Sequence, residues 1–135
     1  MDLHLRQLVW QRAESRCEYC QFPAQFAEAP LQIDHIIAQK HGGETSAENL
    51  ALSCYYCNTY KGPNIAGIDP VRGEIVRLYY PRRDVWSEHF VWDGSLLVGR
   101  TAIGRTTIHV LWINHPQLVE IRRCLILAGE FPPAL

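Results

Sequence analysis

The apolar positions in the first half of the chain change spacing from one short segment to the next. Leu3–Ser15 carries apolar residues at helical spacing, which predicts an amphipathic helix. Leu31–Ile37 alternates apolar and polar residues and predicts a strand, and Leu50–Leu52 predicts a second, shorter one. Tyr55–Lys61 predicts a short helix that the following Gly-Pro pair ends. Strand, loop, strand and helix together predict a compact ββα unit.

The second half of the chain begins with turn residues and continues with strand patterns. Residues 64–73 contain two glycines and a proline and predict a linker. Glu74–Tyr80 then predicts a strand. Trp86–Trp92 and Ser95–Gly99 flank the pair Asp93-Gly94, a dipeptide that strongly signals a hairpin. We therefore predict a β-hairpin in this half.

Two helices follow the predicted hairpin. Thr101 is a suitable N-cap for the first, and Pro116 at the first position with Gly129 after the end predicts the second. The hairpin and the helices form a small C-terminal α/β extension. The chain is thus predicted to have a core with an N-terminal helix at residues 1–63, a linker at 64–73 and an extension packed on the core at 74–135.

Composition indicates a packed globular protein with no membrane-spanning segment. Hydrophobic residues make up 47% of the 135 residues, and no apolar run approaches the length of a membrane span. The first residues lack the basic start and long apolar core of a signal peptide, so we expect a cytoplasmic protein. Trp86, Trp92 and Trp112 are predicted to build a second small core in the extension.

Charge is distributed unevenly along the chain. The net charge of −1 excludes a polycation that binds nucleic acid indiscriminately. Residues 1–71 carry five basic and eight acidic side chains, whereas residues 72–135 carry eight and six. All but two of the thirteen basic residues are arginines, whose planar guanidinium suits phosphate and equally suits structural ion pairs.

Four of the five cysteines form two C-x-x-C pairs. Cys17 pairs with Cys20 and Cys54 with Cys57, and 33 residues separate the pairs. In a chain without an export signal such pairs favour a metal over disulfides, and together they supply four thiolates for tetrahedral Zn²⁺. A zinc ion with four protein ligands has no position left for water, so the predicted site is structural. Cys124 lies in an apolar run and is predicted to be a buried free thiol.

Polar residues lie between and just after the two cysteine pairs. Asp34 and Asn58 offer the hard oxygen ligands that Mg²⁺ prefers, and His35 can take a proton from water. Asn49 and Lys61 complete the set. Neighbouring residues on a regular strand point to opposite faces. Asp34 and His35 therefore share one site only if the strand bends at His35 or the ligands approach from both sides.

The order and spacing of these residues resemble the HNH endonuclease family over residues 15–63. The resemblance rests on Cys17-x-x-Cys20, Ile33-Asp34-His35-Ile36, Gly42-Gly43, Asn49-Leu50 and Cys54-x-x-Cys57-Asn58-x-x-Lys61. The spacing is also similar to that of the HNH domain in CRISPR-associated nucleases, with fifteen residues from Asp34 to Asn49 and nine more to Asn58. Asn58 stands where the family name calls for a second histidine, and asparagine is a known variant there.

The resemblance implies a fold and a role for each of these residues. The implied fold is α+β, with a ββα-metal (His-Me finger) core that the structural four-cysteine zinc site holds together. His35 would be the general base, and Asp34 and Asn58 would hold a catalytic Mg²⁺ or Mn²⁺. Asn49 would brace the loop and help to orient the base. Lys61 would lie near the DNA backbone or steady the helix end.

The implied function is a metal-dependent endonuclease that hydrolyses DNA phosphodiester bonds. Cleavage would leave 5′-phosphate and 3′-hydroxyl ends, and RNA or the strand of an R-loop stays open as a substrate. The alternative is a non-catalytic zinc module that binds nucleic acid or a protein partner. The predicted DNA contacts are Lys40, Lys61, Arg72, Arg82 and Arg83.

Overall fold

A computed structural model describes residues 1–134 and shows the predicted α+β fold. Its helices are α1 (Leu3–Arg12), α2 (Tyr55–Lys61), α3 (Trp86–His89), α4 (Ala102–Val110) and α5 (Pro116–Leu127). Its strands are β1 (Gln32–His35), β2 (Leu50–Ser53), β3 (Ala66–Ile68), β4 (Ile75–Arg77), β5 (Phe90–Asp93) and β6 (Leu96–Gly99). Short 3-10 helices lie at Ala24–Phe26, Gln39–His41 and Ala47–Asn49. Within residues 1–134, no helix is long and apolar enough to cross a membrane.

The centre of the molecule is the β1–β2 hairpin with α2 packed on β1. The two strands are antiparallel, with His35 opposite Leu50, and all four residues of β2 are buried. β1 ends at His35 because the Ile37 backbone hydrogen bonds to the Asn49 side chain instead of to β2. The ββα prediction is confirmed, and α2 occupies the predicted residues.

α1 leads into the first cysteine pair and ends three residues before the predicted boundary. Glu14 and Ser15 have φ angles of +53° and +56°, which a right-handed helix does not allow. Arg12, in the last turn, donates from Nη2 to the Leu50 carbonyl oxygen at 2.6 Å. This contact fixes the end of α1 against β2.

The segment predicted as a linker carries a strand. β3 lies within residues 64–73 and pairs with β4. Gly67 is required in β3, because a Cβ atom there would overlap the Val110 side chain of α4. Asp69 follows β3, is fully buried and pairs with Arg105 of α4, 2.9 Å from its Nη2 atom. The segment is therefore an ordered hairpin that belongs to the extension, because it packs on α4. β4 is shorter than the predicted strand.

The predicted hairpin and the two C-terminal helices are confirmed. β5 and β6 pair antiparallel, with Asp93 opposite Leu96 across the turn. Thr101 caps α4 through its hydroxyl oxygen, which accepts a backbone N–H of the first turn at 3.1 Å. Pro116 occupies the start of α5, and Gly129, with φ +75°, follows its end.

Two tryptophans attach the extension to the core. Trp86 donates from Nε1 to the Tyr19 carbonyl oxygen, and Trp92 donates from Nε1 to Gln21 Oε1, each at 2.8 Å. Trp86 lies in α3, where the sequence predicted the start of a strand. Buried apolar residues of both parts form one continuous cluster. The prediction of a separate second core is therefore wrong, because the indole donors find their acceptors beside the first cysteine pair.

Two residues predicted to be buried are exposed. Trp112 is 46% exposed and packs edge-on against Tyr60 of α2, with ring centroids 5.3 Å apart. Cys124 is a free thiol as predicted, but it is exposed on α5. The core-facing side of that helix carries Leu118 and Arg122 instead. The apolar residues that flank Cys124 in the sequence therefore do not indicate that its thiol is buried.

Candidate active site and cysteine cluster

The four cysteines of the two pairs meet in the core. They are buried, and their Sγ atoms lie within 4.8 Å of one another. Cys20 Sγ and Cys54 Sγ are 3.7 Å apart, close to the edge of about 3.8 Å expected for a tetrahedron with Zn–S bonds of about 2.3 Å. In each pair the backbone N of the second cysteine lies 3.5 Å from the Sγ atom of the first. The cluster has the ligand set and spacing of a structural zinc site.

The pKa values of the clustered thiols are shifted in different directions. Burial raises the pKa of Cys17, but hydrogen bonds with the other three thiols outweigh burial and hold the pKa well below its usual value. Hydrogen bonding with Cys17 raises the pKa of Cys20 and of Cys57 well above the usual value. A buried cluster that favours a thiolate suits a metal cation better than four neutral thiols.

Asn49 braces the loop between β1 and β2 from inside. It is 7% exposed, and its Oδ1 atom accepts the Ile37 N–H at 2.9 Å. Its Nδ2 atom donates to the carbonyl oxygens of Ile37 and Glu44 at 3.0 and 2.8 Å. Gly43 allows this close approach, because a Cβ atom there would overlap the Ile37 carbonyl oxygen. These contacts fit the bracing role that the resemblance implied.

His35 ends β1 with its ring partly exposed. Nε2 lies 2.8 Å from Thr45 Oγ1, and Nδ1 has no hydrogen-bond partner among the described residues. β1 stays regular through His35, so the side chains of Asp34 and His35 leave the strand on opposite faces. The bend considered from the sequence is therefore not observed, and a shared substrate would have to reach the two side chains around the strand end.

Asp34 faces α2 and is paired with Lys61. Lys61 Nζ lies 3.2 Å from Asp34 Oδ2 and donates to the His35 carbonyl oxygen at 3.2 Å. The Lys61 and Asp34 side chains are 2% and 11% exposed. Asp34 Oδ2 has no aligned hydrogen bond within residues 1–134, so the ammonium group supplies charge rather than a directed bond. Burial raises the pKa of Asp34, while the charges of Lys61 and His35 oppose that rise.

Asn58 projects from α2 toward the strand face that carries Asp34. Its Nδ2 atom donates to Gln32 Oε1 at 2.7 Å, and Gln32 lies two residues before Asp34 on the same face. α2 thus presents Asn58 and Lys61 to neighbouring positions of one strand face. In the described part of the chain, Asn58 Oδ1 accepts no hydrogen bond, and no hydrogen bond joins His35 to Asn58. The buried carboxylate oxygen and the free amide oxygen are hard donors that fit Mg²⁺ or Mn²⁺.

The residues predicted to contact DNA fall into two groups. Those with exposed side chains are Lys40, Arg72 and Arg83. Lys61 is buried against Asp34, as described above. Arg82 pairs with Glu18 and donates to the Leu50 carbonyl oxygen at 3.2 Å. Lys61 and Arg82 therefore support the fold around the site instead of presenting their charge to solvent.

Sequence reasoning missed the roles of two residues in the site. The sequence predicts no site role for Thr45, but its hydroxyl lies 2.8 Å from His35 Nε2. The sequence predicts no role for Gln32, yet its Oε1 atom on β1 accepts a hydrogen bond from Asn58 of α2. Both are common polar residues whose partners are set by strand register and loop path, so no local pattern identifies them.

Comparison with known proteins agrees with this geometry. Residues 17–64 match the family model described as HNH endonuclease. No curated protein and no solved structure matches the chain. The matched segment begins at Cys17 and includes every residue of the polar set as well as all four clustered cysteines. Residues 17–64 therefore match an HNH endonuclease family model and contain a buried four-cysteine cluster.

Proposed function

We propose that this domain is a metal-dependent endonuclease that hydrolyses phosphodiester bonds in DNA. The observation that carries the proposal is that the buried carboxylate of Asp34 and the free amide oxygen of Asn58 lie at the same face of β1, while the partly exposed imidazole of His35 leaves the strand end on the other face. Lys61 compensates the charge of the buried carboxylate, but within residues 1–134 Asp34 Oδ2 accepts no aligned hydrogen bond, so this oxygen can serve as a ligand of a hard cation.

His35 is the proposed general base. If Nε2–H donates to Thr45 Oγ1, the Nδ1 atom is left with the lone pair that accepts a proton from water. The water oxygen then bonds to phosphorus as the bond from phosphorus to the 3′ oxygen breaks. The departing oxygen takes a proton from solvent, which leaves 5′-phosphate and 3′-hydroxyl ends. Thr45 has the role of fixing the tautomer.

Asp34 and Asn58 are the residues that would hold Mg²⁺ or Mn²⁺. When bound, such an ion supplies neutralisation of charge on the phosphoryl group and the leaving oxygen. Lys61 acts as a positioning residue, because it bonds to the His35 carbonyl and pairs with Asp34 at once. Asn49 and Gly43 keep the loop that follows His35 in one conformation.

The phosphate contacts outside the active site are proposed to come from the exposed cations. Lys40 lies on the loop that follows His35, and Arg72 and Arg83 lie in the extension. Their charge is open to a polyanion, whereas the guanidinium of Arg82 is already paired with Glu18. Substituting the exposed cations should weaken binding with little dependence on DNA sequence.

The proposal is tested by incubating supercoiled plasmid with the full chain and Mg²⁺ or Mn²⁺. Wild type should convert the plasmid to nicked or linear forms, and His35→Ala should lower the rate by about 10²- to 10⁴-fold, the usual contribution of a general base. His41→Ala is the matched control, because His41 is an exposed histidine of the same loop outside the bonded site. That variant should retain the wild-type rate.

The same assay separates the proposal from the non-catalytic alternative. A zinc module that only binds would shift DNA in a gel and leave the plasmid supercoiled with either metal ion. Parallel reactions with single-stranded RNA and an R-loop substrate identify the other polynucleotide substrates. Cleavage of no substrate, or equal cleavage by wild type and His35→Ala, would overturn the proposal.

A further inference from the structure

Arg122 is a fully buried cation in the extension. Its exposed fraction is 0%, although arginine is almost never fully buried unless it is paired. The ion pairs found among residues 1–134 all involve other residues. Its donors reach neutral oxygens of Ser95, Ile113 and Asn114 at 2.9, 3.0 and 3.1 Å. The hydrogen-bonding capacity of the guanidinium is used, but these partners leave its charge uncompensated.

The helix that carries Arg122 shares a cavity with one cysteine of the second pair. Leu118 and Ile121 of α5 line a cavity of about 200 Å³ together with Cys54. Leu118 lies one turn before Arg122 on the same buried face of α5. α5 therefore approaches the cysteine cluster on the side of Cys54.

Arg122 also connects to the first cysteine pair through Trp92. Its guanidinium carbon lies over the Trp92 ring, 5.1 Å from the ring centroid. Trp92 donates its indole N–H to Gln21 Oε1, and Gln21 follows Cys20 directly. Arg122 and its helix thus connect to a residue beside the first cysteine pair and to a cavity lined by the second.

The charges of the two groups complement each other. Four thiolates around one divalent cation leave a surplus of negative charge inside the core. Burial lowers the pKa of Arg122, and thiolates at Cys20, Cys57 and Cys54, which zinc binding would create, oppose that change. Buried charges of opposite sign stabilise each other strongly, because little water screens them.

We propose that Arg122 is the counter-ion of the zinc-loaded cysteine cluster and couples metal binding to docking of the C-terminal extension. Arg122 does not ligate the metal; it is a positioning residue that lowers the cost of concentrating four thiolates in the core. By linkage, zinc stabilises the packing of α5, and docked α5 raises the affinity for zinc by the same factor. The inference needs a zinc site and does not depend on nuclease activity.

Zinc affinity of the full chain, measured by competition with a chromophoric chelator, tests this proposal. Arg122→Met and Arg122→Gln remove the charge and should weaken zinc binding about tenfold or more, the usual effect of losing a group that supports metal ligands. Arg122→Lys keeps the charge with fewer donors and should retain most of the affinity. Arg123→Met is the matched control, because Arg123 is the neighbouring arginine on α5 and its exposed side chain pairs with Glu120 at the surface. It should leave zinc affinity unchanged.

Two outcomes would overturn the proposal. The first is an affinity equal to wild type in the Met and Gln variants. The second is a Lys variant as weak as the Met variant, which would assign the effect to packing or hydrogen bonding. If the variants do not fold, hydrogen exchange of the wild type decides. Chelating zinc should then deprotect amides of α5 and β6, and unchanged protection there contradicts the coupling.

Discussion

In residues 17–64 the buried polar side chains form two small clusters, whereas in residues 65–134 the buried polar contacts are made by single arginine side chains. The first region holds four cysteines within 4.8 Å of one another and the Asp34–Lys61 pair between β1 and α2. In the second region, Arg105 pairs with Asp69, while Arg122 bonds to carbonyl and amide oxygens. The extension also supplies the indole donors that join the regions.

This difference follows from what each region has to position. The core contains short strands and a seven-residue helix, which bury too little apolar surface to hold a charged site rigid. A metal-binding cluster supplies the missing rigidity. The extension has longer helices and a continuous apolar contact with the core, and its arginines Arg105 and Arg122 bond to carboxylate, carbonyl and amide oxygens of the extension itself.

Loss of one cysteine of the cluster should have the largest effect on the stability of the core. Cys57→Ser removes one of four thiolates, and structural zinc sites contribute about 10–16 kcal/mol of apparent binding energy to folding. We expect loss of bound zinc and loss of amide protection in β1, β2 and α2, measured by metal analysis and hydrogen exchange. Cys124→Ser is the control, since that thiol is exposed and outside the cluster. A Cys57→Ser chain with wild-type zinc content and melting temperature would contradict the account.

A smaller loss is expected when Lys61 is replaced by Met. The change leaves the buried Asp34 carboxylate without its cation, and breaking such a pair costs about 3–5 kcal/mol. Burial raises the pKa of Asp34, and loss of the opposing Lys61 charge raises it further. The folded state then binds the proton more tightly than the unfolded state. The free energy of unfolding should therefore fall as pH rises from the unfolded pKa of about 3.9 to the raised pKa of the folded state.

Urea unfolding at pH 5 and pH 8 measures this effect for Lys61→Met. The double variant Asp34→Asn with Lys61→Met is the matched control, because it removes both charges and should recover most of the loss. A single variant whose stability is independent of pH, or a double variant as unstable as the single one, would show that the pair acts through packing alone.

The smallest effect is expected in the extension, from Asp69→Asn. Hydrogen bonds from Arg105 lower the pKa of Asp69 to about 2. Because this folded-state pKa lies below the unfolded value of about 3.9, the ionised carboxylate stabilises the fold above about pH 4. That contribution is lost as pH falls toward 2. Melting temperatures of wild type and Asp69→Asn should therefore differ at pH 7 and converge in acid; a difference that persists there would rule out the ion pair as its source.

The sequence predicts the core better than the extension, for a physical reason. In the core, the motif residues have the types that the proposed chemistry would require: thiolates for zinc, oxygen donors for a hard cation and an imidazole for proton transfer. Cys17, Asp34 and Asn58 stand at spacings that few other functions require, so the ββα unit and the cluster follow from the motif. The α2 boundaries follow as well, because Gly62 ends the helix.

In the extension, packing decides the structure, and packing partners are distant in sequence. Residues 64–73 read as a linker because nothing local shows that Gly67 accommodates Val110 of α4. Cys124 reads as buried because its neighbours are apolar, although Arg122 occupies the buried face of α5. In both places a contact from another element overrides the local pattern.

Zinc binding at Cys57 and catalysis at Asn58 are proposed to be separate functions of adjacent residues, and the variant Asn58→Ala distinguishes them. Asn58 follows Cys57, but its side chain bonds only to Gln32 among the described residues, so loss of the side chain should leave zinc content and melting temperature unchanged. Plasmid cleavage should fall about 10²-fold or more, because a ligand of the catalytic ion is lost. Cleavage at the wild-type rate would show that Asn58 is not a ligand of the catalytic ion. Loss of zinc together with activity would show that zinc binding and catalysis are not separate functions of Cys57 and Asn58.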